Sequence, residues 1–437
     1  HGIGRRQRQM CIRDSLSGIL FMRSLHAGLL LVTLLAAHAD AADSWNNWRG
    51  PHLNGVAADG DYPTSWAADE NVAWKVKLPG LGGSTPAIWG DHIFVTAGVD
   101  GENLTLAYDR QGKELWRTSV GDERSGKHRK ATGSNPSPVT DGKSVFVYFK
   151  SGDFACLDFE GKLIWHVNLQ ERYGEDTLWW DLGTSPILTQ EHVVIACMHS
   201  GPSYLAAFDK QTGKTIWKQE RNMDAPEEAN QSYSTPVVTM HEGQEVIVVL
   251  GADHVTAHSA KTGKQLWLVG GLNPTQNGYF RSISSPVISG DVVVAPYARG
   301  SSLTAVRLGG KGDVRGSHVL WESESISSDV PTPAAKDGRV YVLADKGRIA
   351  CLNAESGDVV AELKLEKHRD AFSASPIIAG KHLYLTREDG KTFVVEIGDG
   401  LKLVAENELD SFTVASPAFV DGQILIRTSE YLYCIGD

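Results

Sequence analysis

From residue 71 onward the chain runs as short β-branched segments cut by Gly and Asp turns, the pattern of a meander of strands. The segments recur as units. A Ser/Thr-x-Pro or Ser-Pro step appears at Pro86, Pro138, Pro186, Pro236, Pro286, Pro333, Pro376 and Pro417, at spacings of 41 to 52 residues. Each step leads into a small apolar pair, a turn and a β-branched run such as Val145-Phe146-Val147 or Val292-Val293-Val294. A third segment then ends in a distinct tail. In the third unit the tail reads Ala207-Phe208-Asp209-Lys210-Gln211-Thr212-Gly213-Lys214-Thr215-Ile216-Trp217, and the fourth repeats it from Ala257 to Trp267. The sixth and seventh units lose the Trp and carry Ala361 and Val404 near its place.

A unit of about 40–50 residues holding four strands is the size of a propeller blade. The Gly before the last strand supplies the positive-φ hairpin residue, and a Trp on that strand offers a flat side chain able to wedge between blades. The pattern therefore predicts an all-β protein: an eight-bladed β-propeller of four-stranded antiparallel blades. Trp74, Trp116, Trp165, Trp217, Trp267 and Trp321 read as structural blade tryptophans. The eighth unit stops after Leu432-Tyr433-Cys434-Ile435, one strand short. The stretch 71–76 reads like the missing Trp-bearing strand, so the ring is expected to close through it and leave no open sheet edge. Residues 42–70, with Trp45, Trp48 and Trp66, form a non-repeat lead-in expected to pack on the outside, and 71–437 the propeller itself.

The opening residues change the picture of where this propeller works. Met22-Arg23, the apolar run Leu29 to Ala37 and the small-x-small triplet Ala39-Asp40-Ala41 have the layout of a signal peptide over 22–41. Gln9-Met10-Cys11-Ile12-Arg13-Asp14-Ser15 resembles a translated sequencing adapter, and residues 1–21 are expected to be spurious. No Cys follows the apolar run, and no segment approaches the ~20 apolar residues of a membrane span. A periplasmic or secreted protein, monomeric and without a lipid anchor, is the expectation. The formal charge is −11; the leader carries five Arg and two Asp, a net of +3, so the remainder stands at −11 − 3 = −14. A surface that acidic repels phosphate backbones, so nucleic acid is an unsuitable partner. Cys156, Cys351 and Cys434 occupy equivalent positions in units that are not neighbours and read as small buried hydrophobes; Cys197 lies within range of Cys156 in the next unit.

The tail Ala-x-Asp-x-x-Thr-Gly-x-x-x-Trp resembles the repeat of the pyrroloquinoline-quinone (PQQ) dehydrogenase-like propellers, over roughly residues 71–437, and Trp45-Asn46-Asn47-Trp48-Arg49-Gly50-Pro51 looks like the start of many exported bacterial members. The resemblance implies one of two lives. Quinoprotein dehydrogenases bind PQQ and Ca²⁺ over the tunnel mouth and oxidise alcohols or sugars; a second branch, similar to the propeller subunit of the outer-membrane barrel-assembly machine, has no cofactor and binds proteins.

The sequence lacks the adjacent Cys pair that often sandwiches the quinone, and it has no Cys-x-x-Cys-His, Gly-x-Ser-x-Gly or His-Glu-x-x-His. His254 and His258 are four apart, which in a strand separates them by ~13 Å; both read as surface histidines. Asn103-Leu104-Thr105 matches a glycosylation acceptor. The segments preceding each innermost strand converge at one tunnel mouth, and Arg129, Trp180, Asp181, Tyr233 and Arg281 are the candidate ligand-binding residues there. The same segments also fit a solvated funnel with no ligand. No catalytic or metal-binding residue is assigned. A non-catalytic scaffold that binds a protein or a small polymer at one face is the first reading, with a PQQ- and Ca²⁺-dependent oxidoreductase and an outer-membrane assembly factor as alternatives.

Overall fold

The structure, a computed structural model, describes residues 44–128 and 130–436. The signal-peptide stretch 22–41 and Arg129 lie outside them. Eight antiparallel sheets follow one another around a ring. Blade 3 shows the common plan: innermost Ile187–Leu188, then His192–Cys197, Tyr204–Asp209 and outer Thr215–Glu220. The second strand of a blade is buried over most of its length, and throughout at His192–Cys197 and Val292–Tyr297, while an outer strand such as Thr215–Glu220 alternates between half-buried and exposed residues. A strand covered by neighbouring blades on both faces needs a continuous apolar run; one at the rim needs period two. This is why the middle strands of each unit read as unbroken β-branched segments. Helix is confined to short turns such as Leu169–Tyr173 and Arg315–His318, and no helix among the described residues is long and apolar enough to cross a membrane.

The ring closes as the unit count requires. Val72–Lys77 is the outer strand of blade 8 and pairs antiparallel with Tyr431–Ile435, with Trp74 opposite Cys434 and Lys77 opposite Tyr431. Neighbouring blades are wedged together by the tail tryptophans. The indole N–H groups of Trp74, Trp116, Trp165, Trp217 and Trp321 donate to the carbonyls of Arg110, Phe159, Lys210, Ala260 and Ala354 in the next blade, at 2.7–3.1 Å. Each ring lies flat against the turn glycine of that blade. At Gly213, with φ +66°, an added Cβ would stand 2.6 Å from the Trp165 ring. Turn conformation and wedge packing thus demand the same residue. Blade 4 differs: Trp267 is buried and its strand is covered by Gly312–Asp313, a fifth strand that adds in parallel.

The lead-in does not pack on the outside. Ser44–Trp45 pairs with Ile88 and Trp89 of blade 1's innermost strand and so lies within the tunnel. The Asn46 carbonyl accepts from Thr140 of blade 2, the Asn54 carbonyl from Ala335 of blade 6 and the Gly55 carbonyl from Ile378 of blade 7. Arg49, almost wholly buried, donates to the carbonyls of Pro333 and Pro376 at 2.7 and 2.9 Å, and burial pushes its guanidinium down to about 9. The chain then leaves between blades 7 and 8, with the Tyr384 hydroxyl donating to Pro63 and Asn407 accepting from the Trp66 amide, and reaches the rim at Val72. The inner strand edges of a propeller present unpaired peptide groups, and the lead-in satisfies several of them. It is a plug.

His258 is also not at the surface. It points between blades, held by the Thr256 hydroxyl and the Gly263 carbonyl at 3.0 Å each. Asn103 is equally buried and donates to Asp122, Ser151 and Asp153, so its side chain is committed to internal partners. The four described cysteines are free and buried.

Replacing Trp165 by Ala should lower unfolding stability by about 3 kcal/mol in urea denaturation, and Gly213→Ala should lower it too; equality of either variant with the parent would contradict the wedge. Burial holds His258 down to about 4, against 6.5 for the free side chain. The unfolded chain therefore takes up a proton that the folded protein refuses between those values, and stability falls as pH drops through that window. His258→Phe, which installs the Phe208 of blade 3, should remove about 2.5 kcal/mol of the loss between pH 7 and 4.5, read from denaturation curves at the two pH values.

Candidate functional site

Each innermost strand begins just after a Ser-Pro or Thr-Pro pair, and these eight pairs meet around the axis. The amide of Thr85 donates to the Ser137 hydroxyl, Ser137 to Ser185, Ser185 to Thr235 and Thr235 to Ser285. Ser285 then donates to Thr332, Thr332 to Ser375, Ser375 to Ser416, and Ser416 back to Thr85, all at 2.8–3.2 Å. The result is a closed belt linking all eight blades head to tail. Pro at the following position holds its predecessor extended and lacks an N–H of its own, so the one amide at this level is aimed at the neighbouring blade.

Above the belt lies a cavity of about 510 Å³. Trp48 of the plug and all eight belt residues line it, together with loops from the blade-to-blade connections and hairpin turns at the same mouth. Because the plug occupies the other end, the tunnel is a cup.

The structure brings Trp180, Asp181, Tyr233 and Arg281 to this one cavity. Their roles there differ. Asp181 is buried, takes the Lys127 and His128 amides at 2.8–2.9 Å and pairs with the Lys150 ammonium, so it pins the loop between blades 1 and 2. Tyr233 is buried, receives the Trp180 amide at 3.1 Å and donates to Gln231 at 2.8 Å; burial raises its phenol well above the ordinary value. Trp180 presents its ring at the rim, tied by its indole N–H to Glu228 at 2.8 Å and edge-on to His128 at 5.9 Å. Arg281 is nine-tenths buried between Asp329 at 3.1 Å and Glu228 at 3.4 Å, and its Nη1 has no hydrogen-bond partner.

Sequence reasoning missed several wall residues. Lys130 reaches across the mouth to Glu388 at 2.7 Å, which also accepts from Ser373 at 2.6 Å. Asp345 takes the Asp329 and Val330 amides, and its carboxyl is raised by burial and by Asp329. Arg299 stands on a hairpin where both it and Ala298 have positive φ, 54° and 55°; such backbone is costly for side-chain-bearing residues and is found where a site needs it. Trp48 belonged to a stretch assigned elsewhere. The belt had a signal, since the residue before every one of the eight prolines is Ser or Thr.

Eight antiparallel blades in a ring with a cup on the axis make this an eight-bladed β-propeller. A family profile described as outer membrane protein assembly factor BamB matches residues 56–220, 101–267, 183–318 and 312–432. The chain belongs to that family. It is 23% identical over 352 residues to the BamB of Yersinia pestis, covering 78% of this chain and 81% of that one, and 24% identical over 366 residues to the BamB of Salmonella typhimurium, covering 72% and 86%. Among solved structures, BamB from Moraxella catarrhalis superposes with a TM-score of 0.60 at 14% identity, covering 84% of this chain and 97% of that one. A europium-containing methanol dehydrogenase gives 0.70 at 10% identity, covering 91% and 98%.

The dehydrogenase cofactors do not fit the described residues of this cup. A Ca²⁺ ion takes six to eight oxygens, whereas of the three carboxylates that line the cup Asp181 and Glu388 are each held by a Lys of the protein and Asp345 accepts two backbone amides. The described cysteines sit inside separate blades, with none at the cavity.

Asp181→Asn should leave Lys150 as an uncompensated buried charge, at a cost of about 3 kcal/mol. Hydrogen exchange at the Lys127 and His128 amides should accelerate in that variant, and unchanged exchange would refute the pinning role.

Proposed function

We propose that this protein is an exported, non-catalytic propeller that docks a protein partner on the mouth of the cup, in the assembly of outer membrane proteins. One observation carries the reading. Leu81, Trp179, Trp180, Tyr279 and Phe412 are large apolar side chains exposed by 37–58%, and all five stand on the blade-to-blade loops at this mouth. Water-exposed Trp and Tyr gathered on one face are the composition of a protein-binding surface. The family and its named relatives supply the process; the predicted signal peptide over 22–41 supplies the compartment. The loops carry the apolar residues while the blades beneath are rigid, which gives a partner a preformed surface.

A quinoprotein oxidoreductase is the second reading; it is raised by the repeat the chain shares with that class, and the paired carboxylates of the cup count against it. Oxidation of an alcohol or sugar with PQQ and Ca²⁺ added to the purified chain would establish it.

For the docking reading, the parent chain and a Trp179→Ser/Tyr279→Ser variant are expressed in the source bacterium and crosslinked in envelopes. Barrel-assembly proteins should be recovered with the parent and at least tenfold less with the variant, at unchanged melting temperature. Equal recovery with both, or none with the parent, would remove the proposal.

A further inference from the structure

We infer that the cup itself binds a neutral, polyhydroxylated ligand, a saccharide of one or two rings. The inference concerns the interior and not the apolar rim, so it stands or falls apart from the docking reading. The first observation is the belt. Each of its eight hydroxyls already accepts a backbone N–H and, among the described residues, donates to no protein group, so each keeps a proton for whatever fills the axis. A guest rich in hydroxyls supplies acceptors for those protons where an apolar guest supplies none.

The second observation is spare donor capacity in the wall. Arg281, which lines the cavity, binds Asp329 through Nη2 at 3.1 Å, while its Nη1 has no hydrogen-bond partner among the described residues. A ligand hydroxyl can accept from that group.

Charge narrows the class. Lys130 is neutralised by Glu388 and Lys150 by Asp181, while the single charge of Arg281 faces two carboxylates, Asp329 and Glu228. The exposed Arg299 and the acid Asp345 add one charge of each sign. The walls therefore hold no surplus positive charge for an anion, and a polyanion would have to displace internal carboxylates, whereas a neutral ligand meets no such barrier. An aromatic face completes the set: Trp48 forms part of the lining at the plug, and an indole face packs well on the C–H face of a sugar ring. The volume of about 510 Å³ lies within the ~300–1,000 Å³ of small-ligand sites.

The test is calorimetry of the full mature chain against glucose, N-acetylglucosamine, maltose, cellobiose and chitobiose, with citrate as the anionic comparison. At least one saccharide should bind with a stoichiometry of one and more tightly than citrate. Arg281→Gln and Trp48→Leu should each weaken it tenfold or more. Should either variant fail to fold, hydrogen exchange of the parent reads the same contact, with the saccharide protecting residues 281–285 and 328–332. Absence of saturable heat with every saccharide, tighter binding of citrate, binding indifferent to both variants, or protection confined to other segments would each overturn the inference.

Discussion

The structure depends on a ring of eight hydrogen bonds from backbone amide to Ser or Thr hydroxyl, running once around the axis and returning to its start. A propeller has no continuous core: each blade packs on two neighbours, and separate apolar clusters fill the gaps between them. What sets the blades at a common height is the belt. Each link has the modest net value of a neutral hydrogen bond, about 1 kcal/mol, yet each failure leaves a buried amide unpaired. Closure of the belt and closure of the eighth blade by Val72–Lys77 are one constraint seen at the axis and at the rim. Both require residues 72–85 to meet residues 416–435.

The lead-in makes that constraint asymmetric. Repetition alone would give a tunnel open at both ends with unpaired inner edges. Residues 44–57 enter that tunnel, satisfy edge groups of blades 2, 6 and 7, and lodge the Arg49 guanidinium on the Pro333 and Pro376 carbonyls beside the belt. A through-channel becomes a cup with Trp48 in its lining. Function in such a fold lives where repetition fails: in the plug, in the unequal loops at the mouth, and in the Lys130–Glu388 pair that spans it.

Much of the architecture was legible because its causes are local. Eight proline steps, turn glycines and terminal tryptophans each act over a few residues, and the shortage of one strand at one end matched a spare at the other. The site was legible only in part. Trp180, Asp181, Tyr233 and Arg281 were found because loops before innermost strands must share a mouth. Arg299 was not, since Ala298-Arg299 carries none of the Gly or Asn that marks a positive-φ hairpin. His258 looked polar and external, but it fills the slot that Phe208 fills in blade 3, where its ring finds two hydrogen bonds.

The amino-acid sequence by itself determined the unit, the number of units and the way the circle closes, because strand period and turn chemistry are short-range and were repeated in eight units, six of them with a wedge Trp. Only the tertiary structure decided that the lead-in runs through the middle, that Asp181 serves a neighbouring loop and that eight hydroxyls form one belt. Those outcomes join groups up to more than three hundred residues apart, and such partners are chosen by which unsatisfied peptide edges the closed ring leaves, a property no single segment possesses.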